Sequence, residues 1–221
     1  MSKKILVNRN NSDNSDNREH KIAYFITIYH DIDKQNKNNN IIGSGIYMNG
    51  QGRKNDDKSY FYGDYQIGSK GNISDNGCGI LAPYNAMNTL GDYANPADIT
   101  KYFEENAGII FGTGELGIDP FAMDNYFKDN GYDAYNVYLP SKDSIDELLK
   151  NNDSVITMYA WESNGKIGAH YIESSYKDGE IYTTNIYNDK INERPGSISD
   201  YFINDNSHTF ILTATVINKR R

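Results

Sequence analysis

The pattern of hydrophobic and polar positions divides the chain near residue 70. Before that point, Asn-rich polar stretches flank an apolar run at 21–29, whose β-branched and aromatic residues are typical of a strand. The run at 41–48 is its candidate hairpin partner. We therefore predict two parts: an Asn-rich N-terminal extension with a β-hairpin over residues 1–70, and a second domain over residues 71–221.

After residue 70 the apolar positions first follow a helical period. One face carries apolar residues three or four positions apart, at Ile80, Tyr84, Met87 and Leu90. This spacing predicts a helix over 78–90. Asn95-Pro96 and Asp119-Pro120 each place a capping side chain before a first-turn proline, so they predict two further helices. A fourth helix is predicted over 144–150.

From residue 154 onwards the period changes to two or to continuous apolar runs, which is typical of strands. Strands are predicted over 155–161, 169–176, 180–187 and 209–217. Asn164-Gly165 and Asp178-Gly179 predict tight hairpin turns, which make neighbouring strands antiparallel. Helices followed by an antiparallel sheet predict an α+β fold with the helices packed on one side of the sheet.

Composition and charge exclude several function classes. The 221-residue chain is 38% hydrophobic with a mean hydropathy of -0.73, which indicates a soluble protein. Its net charge of -8 argues against a nucleic-acid partner, because phosphate binding needs clustered Lys and Arg. No apolar run approaches the ~18 residues that cross a bilayer, so no membrane partner is expected.

The N-terminus bears on localisation. The apolar run that follows Lys3-Lys4 is too short for a classical secretory signal. We therefore expect a cytoplasmic protein, or one that is delivered or secreted by a route without such a signal.

The single cysteine, Cys78, lies between two glycines where a polar loop meets the predicted helix over 78–90. One cysteine excludes an intramolecular disulfide. At a helix N-terminus, amide N–H groups and the helix dipole stabilise a thiolate, so we expect the pKa of this thiol to fall from about 8.5 toward roughly 3.5 to 7.5. Cys78 is therefore a candidate nucleophile.

His170 and Asn185 complete a candidate Cys-His-Asn triad. His170 stands at the start of a predicted strand, and an imidazole beside a thiol holds the thiolate and later protonates the leaving amine. Asn185 lies one hairpin later, where cross-strand pairing brings it near His170. Its side-chain amide oxygen is expected to orient the imidazole ring. Asn188 and Asp189 are nearby alternatives for that role.

The order of these features resembles a known family. A cysteine that begins a helix is followed by a glycine-containing segment at 112–117, a small-His-aromatic strand at 168–171, an Asp-Gly hairpin, and a strand that ends in Asn185. A candidate helix start at 197–202 comes next, so the features span residues 72–205. This arrangement resembles the papain-like cysteine peptidase superfamily, and most closely the bacterial branch of double-glycine (bacteriocin) leader peptidases.

The resemblance implies a papain-like fold, in which N-terminal helices, including the nucleophile helix, pack on a C-terminal antiparallel sheet. It also implies an oxyanion site built from the backbone N–H of Cys78 and a side-chain amide six residues upstream. The family usually has glutamine at that position, whereas this chain has the shorter Asn72. Pro83, inside the predicted nucleophile helix, is a second departure that favours a distorted first turn.

The predicted function is hydrolysis of a peptide bond through a thioester acyl-enzyme. The resemblance implies a peptide or protein substrate with a small residue such as glycine before the cleaved bond. It fits a freestanding processing protease, or a delivered bacterial toxin or effector with a cognate inhibitor or delivery partner. Neither a cofactor nor a metal is expected, because the histidines show no metal-ligand spacing.

Two alternatives stay open. The first is an acyltransferase, amidase or transglutaminase-like enzyme that uses the same Cys-His pair. The second is a catalytically silent papain-like binding module.

Overall fold

The computed structural model describes residues 47–48, 65–163, 165–186, 198 and 208–220. Within these ranges the helices are α1 (Ile73–Asn76), α2 (Cys78–Thr89), α3 (Pro96–Glu105), α4 (Met123–Asp129) and α5 (Lys142–Asn151). The strands are β1 (Gln66–Ile67), β2 (Gly71–Asn72), β3 (Asp133–Tyr138), β4 (Ser154–Ser163), β5 (Lys166–Lys177), β6 (Glu180–Thr184) and β7 (His208–Asn218). The hairpin predicted over 21–48 lies outside the described residues, except for residues 47–48.

Polar side chains cap the helices at the predicted positions. Asn95 accepts the N–H of Ala97 at 2.9 Å before α3. Asp119 accepts the N–H of Phe121 at 2.9 Å, and the chain forms one 3-10 turn before α4. The helix predicted over 144–150 is longer than expected, because Ser141 caps it and starts α5 at residue 142.

The five main strands form one antiparallel sheet in the order β3-β7-β4-β5-β6. The turn between β5 and β6 has positive φ at both Asp178 (54°) and Gly179 (85°), as a two-residue hairpin requires. The α+β prediction is confirmed. The sequence did not predict β3, whose six residues include only one buried side chain, Ala134.

Apolar side chains alternate between two cores on opposite faces of this sheet. Ile156 of β4 belongs to the first core, which α2, α3 and α4 cover. Val155 and Tyr159 belong to a second core that includes Ile145 and Leu149 of α5. The prediction that all helices pack on one side was therefore wrong for α5. Because β4 is apolar at consecutive positions, it presents apolar side chains on both faces, and both faces need cover.

Residues before position 70 share the first core with α2. β1 and β2 form a hairpin across the predicted boundary at residue 70, and Tyr65 and Ile67 are buried in that core. Further upstream, the backbone N–H and C=O of Met48 both bond to the side-chain amide of Asn85 on α2, at 2.8 Å each. The described residues 47–48 and 65–70 thus pack with the domain that follows them.

None of the described helices combines the length and the apolar character that a membrane span requires.

Candidate functional site

Cys78 is the first residue of α2, and Gly77 allows the helix to start there. The Gly77 carbonyl accepts the N–H of Leu81 at 3.0 Å, which closes the first turn. A Cβ on Gly77 would lie 2.5 Å from the Cα of Ile73 in α1, far inside contact distance. The predicted helix start at Cys78 is confirmed, and α2 continues through Pro83 without interruption.

Gly79 and Tyr171 hold the first turn of α2 in place. A Cβ on Gly79 would lie 2.7 Å from the Cβ of Ile118 and 3.4 Å from Cδ2 of Tyr171. Tyr171, on β5, also donates its hydroxyl to the carbonyl of Ile118 at 3.0 Å. The two glycines around Cys78 therefore let the thiol-bearing turn fit closely between α1, the segment that contains Ile118, and β5.

The end of β6 leaves room for two candidate residues beside β5. β6 stops at Thr184, which pairs with Glu173. Beyond that pair, the backbone N–H of Tyr171 faces the Cys78 thiol and lowers its pKa. The side-chain Nδ2 of Asn185 donates to the carbonyl of Tyr171 at 3.1 Å. The structure thus brings the candidate nucleophile and the candidate orienting residue to the backbone of the residue that follows His170.

The imidazole of His170 is fully buried on β5. Its Nε2 lies 2.5 Å from the backbone carbonyl oxygen of Asn185. Because a carbonyl oxygen can only accept, this bond assigns the proton to Nε2, and Nδ1 is then the basic nitrogen of the neutral ring. The ring meets Tyr159 edge to face, with centroids 5.8 Å apart, and Trp161 follows at 5.7 Å from Tyr159.

His170 and α2 lie on opposite faces of the sheet. Tyr171 packs in the core under α2, whereas His170 contacts Tyr159 of the second core, as strand alternation requires. Cys78 packs against the first core, on the side of the sheet that Tyr171 faces.

Burial sets the ionisation of both groups and opposes the expected ion pair. It raises the pKa of the Cys78 thiol above its ordinary value, and backbone N–H groups of Tyr171, Gly79 and Cys78 itself offset this only in part. It lowers the pKa of His170 from 6.5 to about 4, while the bond to Asn185 acts in the opposite direction. The predicted lowering of the thiol pKa was therefore wrong. At neutral pH the pair consists of a thiol and an uncharged imidazole.

Asn185 reaches His170 with its backbone. It follows β6 directly and has a left-handed conformation, with φ 63°, which Asn adopts more readily than most residues. Its Oδ1, the atom expected to orient the ring, is buried with no hydrogen-bond partner among the described residues. The two residues are in contact, but a main-chain carbonyl takes the role that the sequence assigned to the side chain. Asn188 and Asp189 lie outside the described residues.

Asn72 caps α1. Its Oδ1 accepts the N–H of Asp75 at 2.8 Å, and its Nδ2 donates to the Asp75 carboxylate at 2.9 Å. These bonds give Asn72 a structural role, and its part in an oxyanion site stays a prediction. The N–H groups of Cys78 and Gly79, which already face the sulfur, are the donors that the start of α2 offers.

No family model matches this chain. No curated protein matches it either. Within the described ranges, no cluster of three or more His, Cys, Asp and Glu side chains could hold a metal ion. The function must therefore be argued from the geometry and chemistry of the residues themselves.

Sequence reasoning missed a buried polar cluster around Glu173. The Glu173 carboxylate accepts the hydroxyls of Thr89 and Ser154 at 2.9 Å and that of Thr184 at 3.0 Å. Asn85 of α2 donates to the Thr184 hydroxyl at 2.9 Å. The available signal was a polar residue inside an apolar run, since Asn85 lies between buried neighbours in α2 and Glu173 lies between buried neighbours in β5.

Proposed function

We propose that this protein is a papain-like cysteine peptidase that cleaves a peptide or protein substrate. Cys78 is the nucleophile, His170 is the general base and acid, and Asn185 fixes the imidazole. The observation that carries the proposal is the set of contacts around Tyr171, the residue that follows His170. The backbone N–H of Tyr171 faces the Cys78 thiol, and its carbonyl accepts the side-chain amide of Asn185. The carbonyl of Asn185 in turn contacts the His170 ring.

The chemistry follows from the tautomer. As the sulfur of Cys78 attacks the substrate carbonyl carbon, its proton moves to Nδ1 of His170. The carbonyl oxygen becomes an oxyanion that accepts hydrogen bonds from N–H groups at the start of α2. The C–N bond then breaks, and the imidazolium gives its proton to the leaving amine. Water attacks the thioester as His170 takes a proton from it, and that proton returns to the departing sulfur.

The protonation states shape this mechanism. Because burial favours the neutral thiol and the neutral imidazole, proton transfer accompanies the attack and no ion pair precedes it. The carbonyl of Asn185 stabilises the imidazolium while it exists, since its hydrogen bond with Nε2 raises the pKa of His170. Asn185 thus stabilises the protonated form of His170.

Peptide cleavage tests the proposal. The purified chain is incubated with synthetic peptides that carry glycine before varied residues, and products are measured by mass spectrometry. We expect Cys78→Ala and His170→Ala to lose at least about 100-fold in rate, the usual scale for a nucleophile or a general base. His208→Ala, a histidine on β7 of the same sheet, is the matched control and retains the wild-type rate. Cleavage that survives Cys78→Ala refutes the proposal.

The raised thiol pKa and lowered imidazole pKa favour a second candidate, a papain-like binding module without catalysis. Iodoacetamide labelling separates the two. The binding module is supported if Cys78 labels no faster than free cysteine at pH 6 and His170→Ala leaves the rate unchanged. A peptidase shows a slower labelling rate in His170→Ala. If added amines capture the acyl group in place of water, the enzyme is an acyltransferase.

A further inference from the structure

A cavity of about 480 Å³ lies at the other end of α2 from Cys78. Thr89, the last residue of α2, lines it, and 11 residues of helix separate Thr89 from the thiol by roughly 16 Å along the axis. The opposite wall comes from β5 and β6 and includes Glu173 and Thr184. This size falls in the range of small-molecule sites in proteins. The cavity is therefore separate from the candidate peptidase site.

Glu173 is an unusual group to find in its wall, because only 1% of it is exposed. Fully buried carboxylates are rare unless they are paired with a cation. In the part of the chain that the structure describes, the favourable contacts of Glu173 are the hydroxyls of Thr89, Ser154 and Thr184, and it forms no ion pair. The three donors occupy three of its roughly four acceptor positions. One position stays open for a further donor.

The surroundings of Glu173 favour a cation. The C-terminal end of α2, which carries the negative end of the helix dipole, forms part of the wall, and the last turn of α2 contains no basic residue. Lys219, at the rim, lies 3.7 Å from Asp92, so its charge is shared with that carboxylate. The other ionisable groups that line the cavity are Tyr47, Asp153, Tyr176, Lys177, Asp178 and Tyr182.

Three tyrosines in the cavity wall are a second reason to expect an organic cation. Tyr47, Tyr176 and Tyr182 line the same cavity. Aromatic rings attract organic cations through their quadrupoles and provide apolar area for a hydrocarbon chain. A carboxylate with an open acceptor position and aromatic walls together match an ammonium group attached to a carbon chain, and do not match an anion.

We propose that this cavity binds a protonated primary amine, with the ammonium paired to the Glu173 carboxylate and its carbon chain against the tyrosines. The inference does not depend on the proposed peptidase activity. The amine can belong to a free small molecule or to a lysine side chain, and both present the same group to Glu173.

Calorimetric titration with n-butylammonium chloride at pH 8 tests the proposal, with n-butanol as the neutral probe and a blocked lysine, Nα-acetyl-lysine amide, as the side-chain probe. We expect n-butylammonium to bind and n-butanol to bind at least tenfold more weakly. Glu173→Gln, which keeps the shape and removes the charge, weakens n-butylammonium binding at least tenfold. Glu162→Gln, which removes the charge of an exposed carboxylate on β4 that does not line the cavity, is the matched control and binds as wild type does. Equal binding of the two butyl probes, or by Glu173→Gln, overturns the proposal.

Wild-type protein provides a second measurement in case Glu173→Gln does not fold. Burial raises the pKa of Glu173 to about 7, so the ionised fraction falls about tenfold from pH 8 to pH 6. An alkylamine stays protonated over this range, since its pKa resembles the ~10.4 of Lys. The affinity for n-butylammonium should fall about tenfold at pH 6, and constant affinity contradicts the proposal. Cys78→Ala keeps full amine binding, which separates this result from any failure of the peptidase proposal.

Discussion

Gly79→Ala tests the close packing of the thiol-bearing turn. The new methyl would lie 2.7 Å from the Cβ of Ile118, whereas carbon atoms in contact are about 3.5 to 4.0 Å apart. One of the two backbones must therefore move by about 1 Å. Overpacking of this kind costs about 1 to 3 kcal/mol, and alanine returns about 0.5 to 1 kcal/mol through its better helix propensity. We expect a net loss of about 1 to 2 kcal/mol in the free energy of unfolding.

Urea denaturation measures this loss. With a slope of about 2 kcal/mol per molar, the midpoint of Gly79→Ala should fall by about 0.5 to 1 M. Ile118→Ala removes Cγ1, one of the two Ile118 atoms that would lie 2.7 Å from the new methyl, so it provides a double-mutant control. In the Ile118→Ala background, Gly79→Ala should cost less than in wild type, which corresponds to a coupling energy of about 0.5 to 1 kcal/mol. A Gly79→Ala variant as stable as wild type would refute the packing argument.

Four further predictions concern Glu173, His170, Asn185 and Gly168. Burial raises the pKa of Glu173 from an ordinary 4.5 to about 7, so the stability that its protonated form contributes is fully present below pH 4.5 and is lost as the pH rises through 7. Urea midpoints measured across that range should therefore decline in wild type, and Glu173→Gln should remove the decline. Burial lowers the pKa of His170 from 6.5 to about 4, so the stability that the neutral ring contributes is fully present above pH 6.5 and is lost as the pH falls through 4. In His170→Gln the free energy of unfolding should fall less over this acidic range. An unchanged pH dependence would contradict the burial of the ring. The free energy of unfolding of Asn185→Gly should be about 1 kcal/mol higher than that of Asn185→Ala. Both variants lose the side-chain hydrogen bond, but only alanine places a Cβ on a backbone with φ 63°. Equal stability of the two variants would argue against the left-handed backbone. In Gly168→Ala the new Cβ would lie 2.3 Å from the ring of Trp161, the single tryptophan, so its fluorescence emission should shift, and an unchanged spectrum would exclude that contact.

Local signals in the sequence were sufficient to locate the longer helices and strands, although the strand predicted over 180–187 ends at Thr184. The caps at Asn95 and Asp119 and the turn at Asp178-Gly179 act within a few residues, so their physics is contained in the local sequence. The face that α5 covers could not be predicted in the same way. Periodicity tells which side chains are buried, but not which element buries them. The short exposed strand β3 gave no periodic signal, because its stability comes from pairing with the distant β7.

The candidate site shows the same division. Cys78 could be found because a glycine-flanked loop meets an apolar helix at that residue, and the helix does start there. The direction in which the pKa of the Cys78 thiol shifts could not be predicted from the sequence. Burial of the sulfur depends on the packing around Ile118 and Tyr171, which are 40 or more residues away in the chain. A helix N-terminus favours a thiolate only where solvent or opposite charge also supports it, and in this fold desolvation outweighs the helix.

The length of β6 decides how the site is built. If β6 continued past Thr184, its backbone would pair with Tyr171 and occupy the positions that the Cys78 thiol and the Asn185 side chain now hold. Thr184 is fixed there by its hydroxyl, which donates to the buried carboxylate of Glu173. The next residue turns left-handed and directs its carbonyl to His170. The buried carboxylate and the candidate base are therefore connected through two consecutive residues. Glu173 therefore holds in place the end of the strand that contacts the imidazole, although the cavity that it lines and the thiol lie at opposite ends of α2.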